Sequence, residues 1–175
     1  MTKRDAPTVS LDDATPADAA LLGDLLELYA DELSAVFPDV VRGPDGRYGY
    51  PRLPLYWSEP DRRFAFLIRA DGQVAGFALA TRGSPMTEDP AVLDVAEFYV
   101  LPRYRRVGVG RGAALLLWRR LPGTWTVRVA EGNRGALVFW GGMLASAGAT
   151  VTVRPSGRIS WRVYTFDAAA PHGAG

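Results

Sequence analysis

Apolar positions along this 175-residue chain alternate between helical and strand spacing. Leu21, Leu22, Leu25, Leu26, Leu28, Tyr29 and Leu33 recur every three or four residues, which predicts a helix running to about Ser34. Thr15-Pro16-Ala17-Asp18 marks its start, with Thr15 as N-cap, Pro16 at the first helical position and Asp18 complementing the dipole. A short strand over 8–11 precedes it. Residues 64–68 and 74–80 are apolar runs joined through Asp71-Gly72, a type I′ turn pair, and so predict a β-hairpin.

Between helix and hairpin, from Phe37 to Pro60, the periodicity breaks. Prolines stand at 38, 44, 51, 54 and 60, interleaved with Tyr48, Tyr50, Tyr56 and Trp57. An insertion of this kind is either a stapled surface loop or a wall of a binding site. Beyond the hairpin and a polar stretch over 82–90, the apolar run Phe98-Tyr99-Val100-Leu101 stops at Pro102. Arginines and glycines then lead into an Ala/Leu-rich helical pattern that ends before Pro122-Gly123. A strand over 125–129 follows, then a helix over 134–147 with Gly148 as C-cap. Two strands over 149–153 and 159–166, linked by Pro155-Ser156-Gly157, close the pattern. Residues 1–7 and 167–175 read as disordered termini around a single domain over 8–166. The element order is mixed α/β.

The loop after the central strand has a chemical character of its own. Gly108, Gly110 and Gly112 lack a Cβ and allow close backbone approach to a ligand, while the first N–H groups of the following helix have no intrahelical partner. Arg103, Arg105, Arg106 and Arg111 surround the same point, and guanidinium groups bind phosphate oxygens bidentately. A phosphate or pyrophosphate fits there; so does the plainer reading of a solvated basic helix start. The spacing is neither a P-loop, which needs Lys after the glycines, nor a dinucleotide fingerprint, since the glycines read G-x-G-x-G.

Composition narrows the chemistry. With 48% hydrophobic residues the chain can bury one sizeable core. A net charge of +1 gives no general basic field for nucleic acid. Every basic residue except Lys3 is arginine. There is no cysteine and one histidine, His172, which removes thiolate nucleophiles and Ser-His or multi-His metal chemistry from the expected mechanisms; no metal is expected. No signal-peptide core and no run of about 18 apolar residues are present, so a soluble, cytoplasmic protein is expected.

The run R-x-x-G-x-G at Arg105, Gly108 and Gly110, preceded by V-x-P at Val100 and Pro102, resembles the acyl-coenzyme A loop of the GNAT superfamily of N-acetyltransferases. A second stretch, Asn133-x-x-Ala136-x-x-Phe139-Trp140 followed by Ala147-Gly148, is similar to the family's N-x-x-A-x-x-F-Y pattern. The resemblance spans residues 8–166 and is nearest a bacterial group with Phe-Trp in place of Phe-Tyr. It implies a largely antiparallel mixed sheet flanked by helices, with a splayed central strand pair, and acetyl-CoA as co-substrate. By resemblance, the backbone of Phe98, Tyr99 and Val100 meets pantetheine and the acyl carbonyl. Arg105, Arg106, Val107, Gly108, Val109, Gly110 and Arg111 cradle the pyrophosphate, and Asn133 lies near pantetheine. Homodimers are frequent in the family.

Direct transfer needs a neutral amine, and an ammonium of lysine type at pH 7 is about 3.4 units below its pKa, a cost of ~4.6 kcal/mol. Glu97 is the candidate base, with the pairing of an arginine as its plainer role. It lies three residues before Val100, on the face opposite Phe98 and Val100 by strand alternation. Asp94 has the parity of Phe98 and ranks below it. The tyrosine that in the family often protonates the departing thiolate is replaced by Trp140, and Arg128 stands where some members carry a glutamate. Tyr29, Tyr50, Trp57 and Trp140, with Tyr48 and Tyr56 nearby, are candidates to line an acceptor site for a cationic amine, or else core.

Three functions are open at this point. The first is an N-acetyltransferase acting on a small-molecule or peptide amine. The second is an acyltransferase of the same fold with an aminoacyl-tRNA donor, and the third a non-catalytic coenzyme A-binding module.

Overall fold

The computed structural model describes residues 6–168, so His172 and Lys3 lie outside the described residues. Seven strands form one sheet in the order β1-β2-β3-β4-β5-β7-β6. The strands are β1 (Val9–Asp13), β2 (Arg63–Ala70), β3 (Gln73–Arg82), β4 (Leu93–Val100), β5 (Gly123–Ala130), β6 (Thr150–Ser156) and β7 (Ile159–Ala168). The helices are α1 (Ala19–Ser34), a single turn α2 (Leu55–Ser58), α3 (Val109–Arg120) and α4 (Arg134–Ala145). The sheet is largely antiparallel, with β4 and β5 parallel. This is the mixed α/β class that the sequence predicts. Among the described residues no helix is long and apolar enough to cross a membrane.

The local signals act as expected. A 3-10 turn at Pro16–Asp18 opens the first helix, and the Asp18 carboxylate accepts from both the N–H and the hydroxyl of Thr15 at 2.8 and 2.9 Å. Those two bonds to the charged form hold the Asp18 pKa below its ordinary value. Asp71 (φ 49°) and Gly72 (φ 77°) both take the left-handed conformation that a type I′ turn requires.

The chain divides into two compact units, Met1–Leu79 with Glu97–Leu117, and Ala80–Ala96 with Trp118–Gly175. In the first, strand alternation sends neighbouring β4 residues into different packing layers. Tyr99 meets Tyr29 of α1 and Phe77 of β3, with ring centroids 5.6 and 5.9 Å away. Val100 joins Ile68, Ala70, Ala75, Val109 and Ala113 in a cluster that also holds Val9, Leu11 and Phe98, so α3 covers the face opposite α1. Gly76 of β3 lies so close to β4 that a Cβ there would overlap the carbonyl of Tyr99.

In the second unit, Trp125 and Val127 of β5 are buried, and the Trp118 and Phe166 rings stack edge-on at 4.8 Å. The alternate positions on β4 and β5 carry a polar network. Asp94, 0% exposed, accepts from Thr126 Oγ1 at 2.6 Å, Ser84 Oγ at 3.1 Å and Arg128 Nη2 at 2.7 Å. The β4–β5 ladder consists of Leu93↔Trp125, Asp94↔Thr126 and Val95↔Val127, after which β4 runs on to Val100.

Candidate active site

The loop that follows β4 is built around two left-handed residues. Pro102–Tyr104 forms a 3-10 turn, Arg106 has φ 62° and Gly108 has φ 92°, and α3 begins at Val109. A non-glycine residue held at positive φ is uncommon and such strain collects at functional positions. The first helical bond seen at this end runs from Gly112 N to Gly108 O at 2.9 Å. By helix geometry the N–H groups of Val109, Gly110 and Arg111 precede any intrahelical acceptor. Val109 is fully buried and anchors the turn from below, whereas Arg103, Arg106, Val107 and Arg111 are exposed.

The third glycine meets β1. A Cβ on Gly112 would stand 3.1 Å from Val9 Cγ2 and 3.2 Å from Val9 Cβ, so Gly112 is small because α3 packs on β1. It serves helix–strand packing.

Arg105 is held by the protein itself. Its Nε donates to Val100 O at 2.7 Å, and its Nη2 donates to both oxygens of Glu32 at 2.9 Å. Tyr99 donates to the same Glu32 carboxylate at 2.9 Å. Arg105 thus ties the loop to the end of β4 and to α1. Tyr99 has its hydroxyl pKa raised to about 12, first by burial and then by the hydrogen bond to and charge of Glu32, with the Arg105 guanidinium opposing. Its ring is 5% exposed while its hydroxyl reaches the half-exposed Glu32–Arg105 pair.

Glu97 shares the strand face of Tyr99 and is half-buried. The Tyr50 hydroxyl donates to Glu97 Oε1 at 3.2 Å. Behind it, Tyr56 is buried, and the Arg63 guanidinium lies over the Tyr56 ring, 5.8 Å from its centroid. Each phenol has one proton and a carboxylate accepts only. The Tyr50 hydroxyl is therefore the donor to Glu97. Arg63 is itself oriented by Glu59 at 2.7 Å. Burial, followed by the Glu97 charge, pushes the Tyr50 hydroxyl far above its ordinary value, so Tyr50 stays a neutral donor. The Tyr56 hydroxyl is also raised, chiefly by burial.

The other predicted residues have settings of their own. Tyr29 belongs to the aromatic cluster with Phe77 and Tyr99. Trp57 donates its Nε1 to Ala14 O at 2.9 Å and fastens α2 to the turn before α1. In the second unit, Trp140 is 6% exposed on α4, its ring 4.8 Å from that of Phe139. Asn133 caps α4, its side-chain oxygen accepting from Ala136 N at 3.1 Å. Phe98 packs in the α3-side cluster. Sequence reasoning did not single out Arg63, Glu32 or Glu27; Glu32 and Glu27 act through contacts distant in sequence. Among the described residues no group of three His, Cys, Asp or Glu side chains is placed to hold a metal ion.

Comparison with known proteins agrees with this architecture. Residues 23–140 match the acetyltransferase (GNAT) family. No curated protein matches the sequence. Among solved structures, an acetyltransferase from Thermus thermophilus is similar, with 19% identity over 93% of this chain and 98% of that one, and a TM-score of 0.67. An N-acetyltransferase from Thermoplasma acidophilum in complex with coenzyme A has 12% identity, 91% and 99% coverage and a TM-score of 0.62. The ribosomal-protein alanine N-acetyltransferase from Escherichia coli has 16% identity, 96% and 99% coverage and a TM-score of 0.59. At these identities the likeness carries the fold alone. The family match, which covers well over half of the chain and contains both the glycine loop and Glu97, carries membership: this chain belongs to the GNAT family of acetyltransferases.

Proposed function

We propose that this chain transfers an acetyl group from acetyl-CoA to a primary amine of a small molecule or peptide, with Glu97 as the base. The observation that carries the reading is the Glu97 carboxylate, half-buried on β4 and met by a neutral phenol at 3.2 Å, on the strand that leads into the loop with left-handed Arg106 and Gly108.

The loop fits acetyl-CoA. Its exposed turn opens a helix whose first N–H groups precede any intrahelical acceptor, and exposed Arg103, Arg106 and Arg111 supply positive charge for phosphate. Arg106, Val107, Gly108, Val109, Gly110 and Arg111 would hold the pyrophosphate, chiefly through the main chain, while Arg105 keeps the loop in place. Phe98, Tyr99 and Val100 extend past the last β4–β5 ladder pair and would align pantetheine, a task that the family resemblance also gives to Asn133. Bound acetyl-CoA supplies an acyl thioester, already activated toward an amine.

What the chain adds is proton management and position. Glu97 accepts a proton from the acceptor ammonium, a step that contributes a factor of about 10²–10⁴ when the base is well placed. Tyr50 keeps the carboxylate oriented without adding a charge of its own. The aromatic residues Tyr29, Tyr50, Trp57 and Trp140 are the pool from which an acceptor pocket would draw, and Tyr50 has the strongest claim.

The test is thermal melting of the full chain with acetyl-CoA, followed by thiol release across a panel of small-molecule and peptide amines. At about 100 times its Kd the ligand stabilises the fold by ~2.7 kcal/mol. A clear shift with thiol release supports the reading. Stabilisation without release on any amine favours a coenzyme A-binding module. Stabilisation by aminoacyl-tRNA at low salt, and not by acetyl-CoA, favours the tRNA-donor reading.

A further inference from the structure

The insertion between α1 and β2 is fastened along one stripe of α1. Arg42 pairs with Asp31 at 2.8 Å and Arg47 with Asp24 at 3.3 Å. The Tyr48 hydroxyl donates to Asp31 at 2.9 Å. All three are exposed, and exposed pairs of this kind hold a chain segment weakly. Glu27 is different. Its side chain is 18% exposed, and its two oxygens each take a main-chain donor: Tyr48 N to Oε2 at 3.0 Å and Gly49 N to Oε1 at 2.7 Å. Two successive N–H groups on one carboxylate, next to the left-handed Gly49 (φ 70°), form a small anion-binding nest. The next residue is Tyr50.

We propose that Glu27 is a positioning residue for Glu97: by gripping the N–H groups of Tyr48 and Gly49 it sets the register of the strap that presents the Tyr50 hydroxyl to the Glu97 carboxylate. A glutamine cannot replace it, because its amide has one acceptor oxygen and would turn an NH₂ toward the second N–H. The two hydrogen bonds, together with nearby Arg47 and Arg42, also hold the Glu27 carboxyl below its ordinary value, the Gly49 bond contributing most. The grip therefore persists throughout the pH range in which a carboxylate base works. The consequence for acetyl transfer rests on Glu97 acting as the base; the coupling between Glu27 and Glu97 does not.

The test follows the Glu97 carboxyl directly. The chain has six glutamates, so carbon-13 glutamate labelling gives a small spectrum in which Glu97→Gln assigns its signal. The groups that act on Glu97 include Tyr50 and Tyr56, with Arg63 and Glu59 behind them; Arg42 and Arg47 flank Glu27. Tyr50→Phe removes a donor to the charged form and is expected to raise the Glu97 titration midpoint by about one unit. Glu27→Gln is expected to raise it in the same direction and to speed hydrogen exchange at the Tyr48 and Gly49 amides. In the double variant the midpoint should match Tyr50→Phe alone, because both changes act through one hydroxyl.

Asp24→Asn, which touches only the exposed end of the strap, should leave the midpoint in place. Glu27→Asp, which keeps the charge on a shorter stem, should give an intermediate shift and serves if Glu27→Gln does not fold. An unmoved Glu97 midpoint in Glu27→Gln, or shifts that add in the double variant, would overturn the proposal. None of these readings needs turnover. Absence of acetyl transfer with the coupling intact would sink the transferase reading and leave the positioning role standing.

Discussion

Asp94 and Glu97 are two carboxylates three residues apart on β4, and their surroundings differ in kind. Asp94 is fully buried and is met by a guanidinium, two hydroxyls and the geometry of the β4–β5 ladder. Glu97 is half-buried and takes its Tyr50 hydrogen bond from a group that stays neutral. The Asp94 carboxylate is clamped by Arg128 in the core and shielded from solvent. The Glu97 carboxylate is met by a phenol at a partly open position. Sequence parity ranks Glu97 above Asp94, and in the structure the two differ in burial.

The largest effect should come from Glu97→Gln. Acetyl transfer is expected to fall by about 10²–10⁴ while acetyl-CoA still raises the melting temperature, as kinetics and thermal shift on the same sample would reveal. A drop of less than about threefold would remove Glu97 from the mechanism.

The Asp94 side of the comparison breaks differently. Arg128→Met strands a buried negative charge and should cost about 3–5 kcal/mol in urea unfolding, whereas Glu97→Gln should change stability by less than about 1 kcal/mol. Equal costs for the two would erase the distinction drawn here.

The smallest effect concerns the phenols. Tyr50 and Tyr99 have folded pKa values above the ordinary value of 10.0, so the stability they contribute is fully present below pH 10. It is lost as pH rises, with Tyr99 leaving first, between pH 10 and about 12. Unfolding measured from about pH 8 to about pH 11 should be flat at first and then decline, and Tyr50→Phe should soften the decline. A decline that begins near the bottom of that range would assign the loss to other groups.

How much of this was legible in the sequence depended on distance along the chain. The Thr15–Asp18 helix start, the Asp71-Gly72 turn and the strand–loop–helix run through Gly108 are written in adjacent residues, and each took its expected form. The 37–60 insertion was not legible in the same way. Its contacts show the stapled surface loop that its composition allowed. Glu27 and Asp31 staple it to α1, and its Tyr50 meets Glu97, by contacts 17 to 47 residues apart. No periodicity encodes such pairings. Arg105 shows the same gap: the motif marks it as a loop residue, but its partner Glu32 lies 73 residues away. The four proposed acceptor aromatics shared only a residue type, and the fold gave them four different settings.

The contact between Gly112 and Val9 turns a feature of packing into one of inheritance. Because a Cβ at position 112 would press on the branched side chain of Val9, the first strand and the cofactor-loop helix share a fixed volume. Lineages that acquire alanine or serine at 112 should carry a smaller residue at 9, and lineages that keep glycine there are free to keep valine or isoleucine. The size of the third glycine is thus tied to a strand about a hundred residues upstream, against which any larger residue at 112 would have to repack.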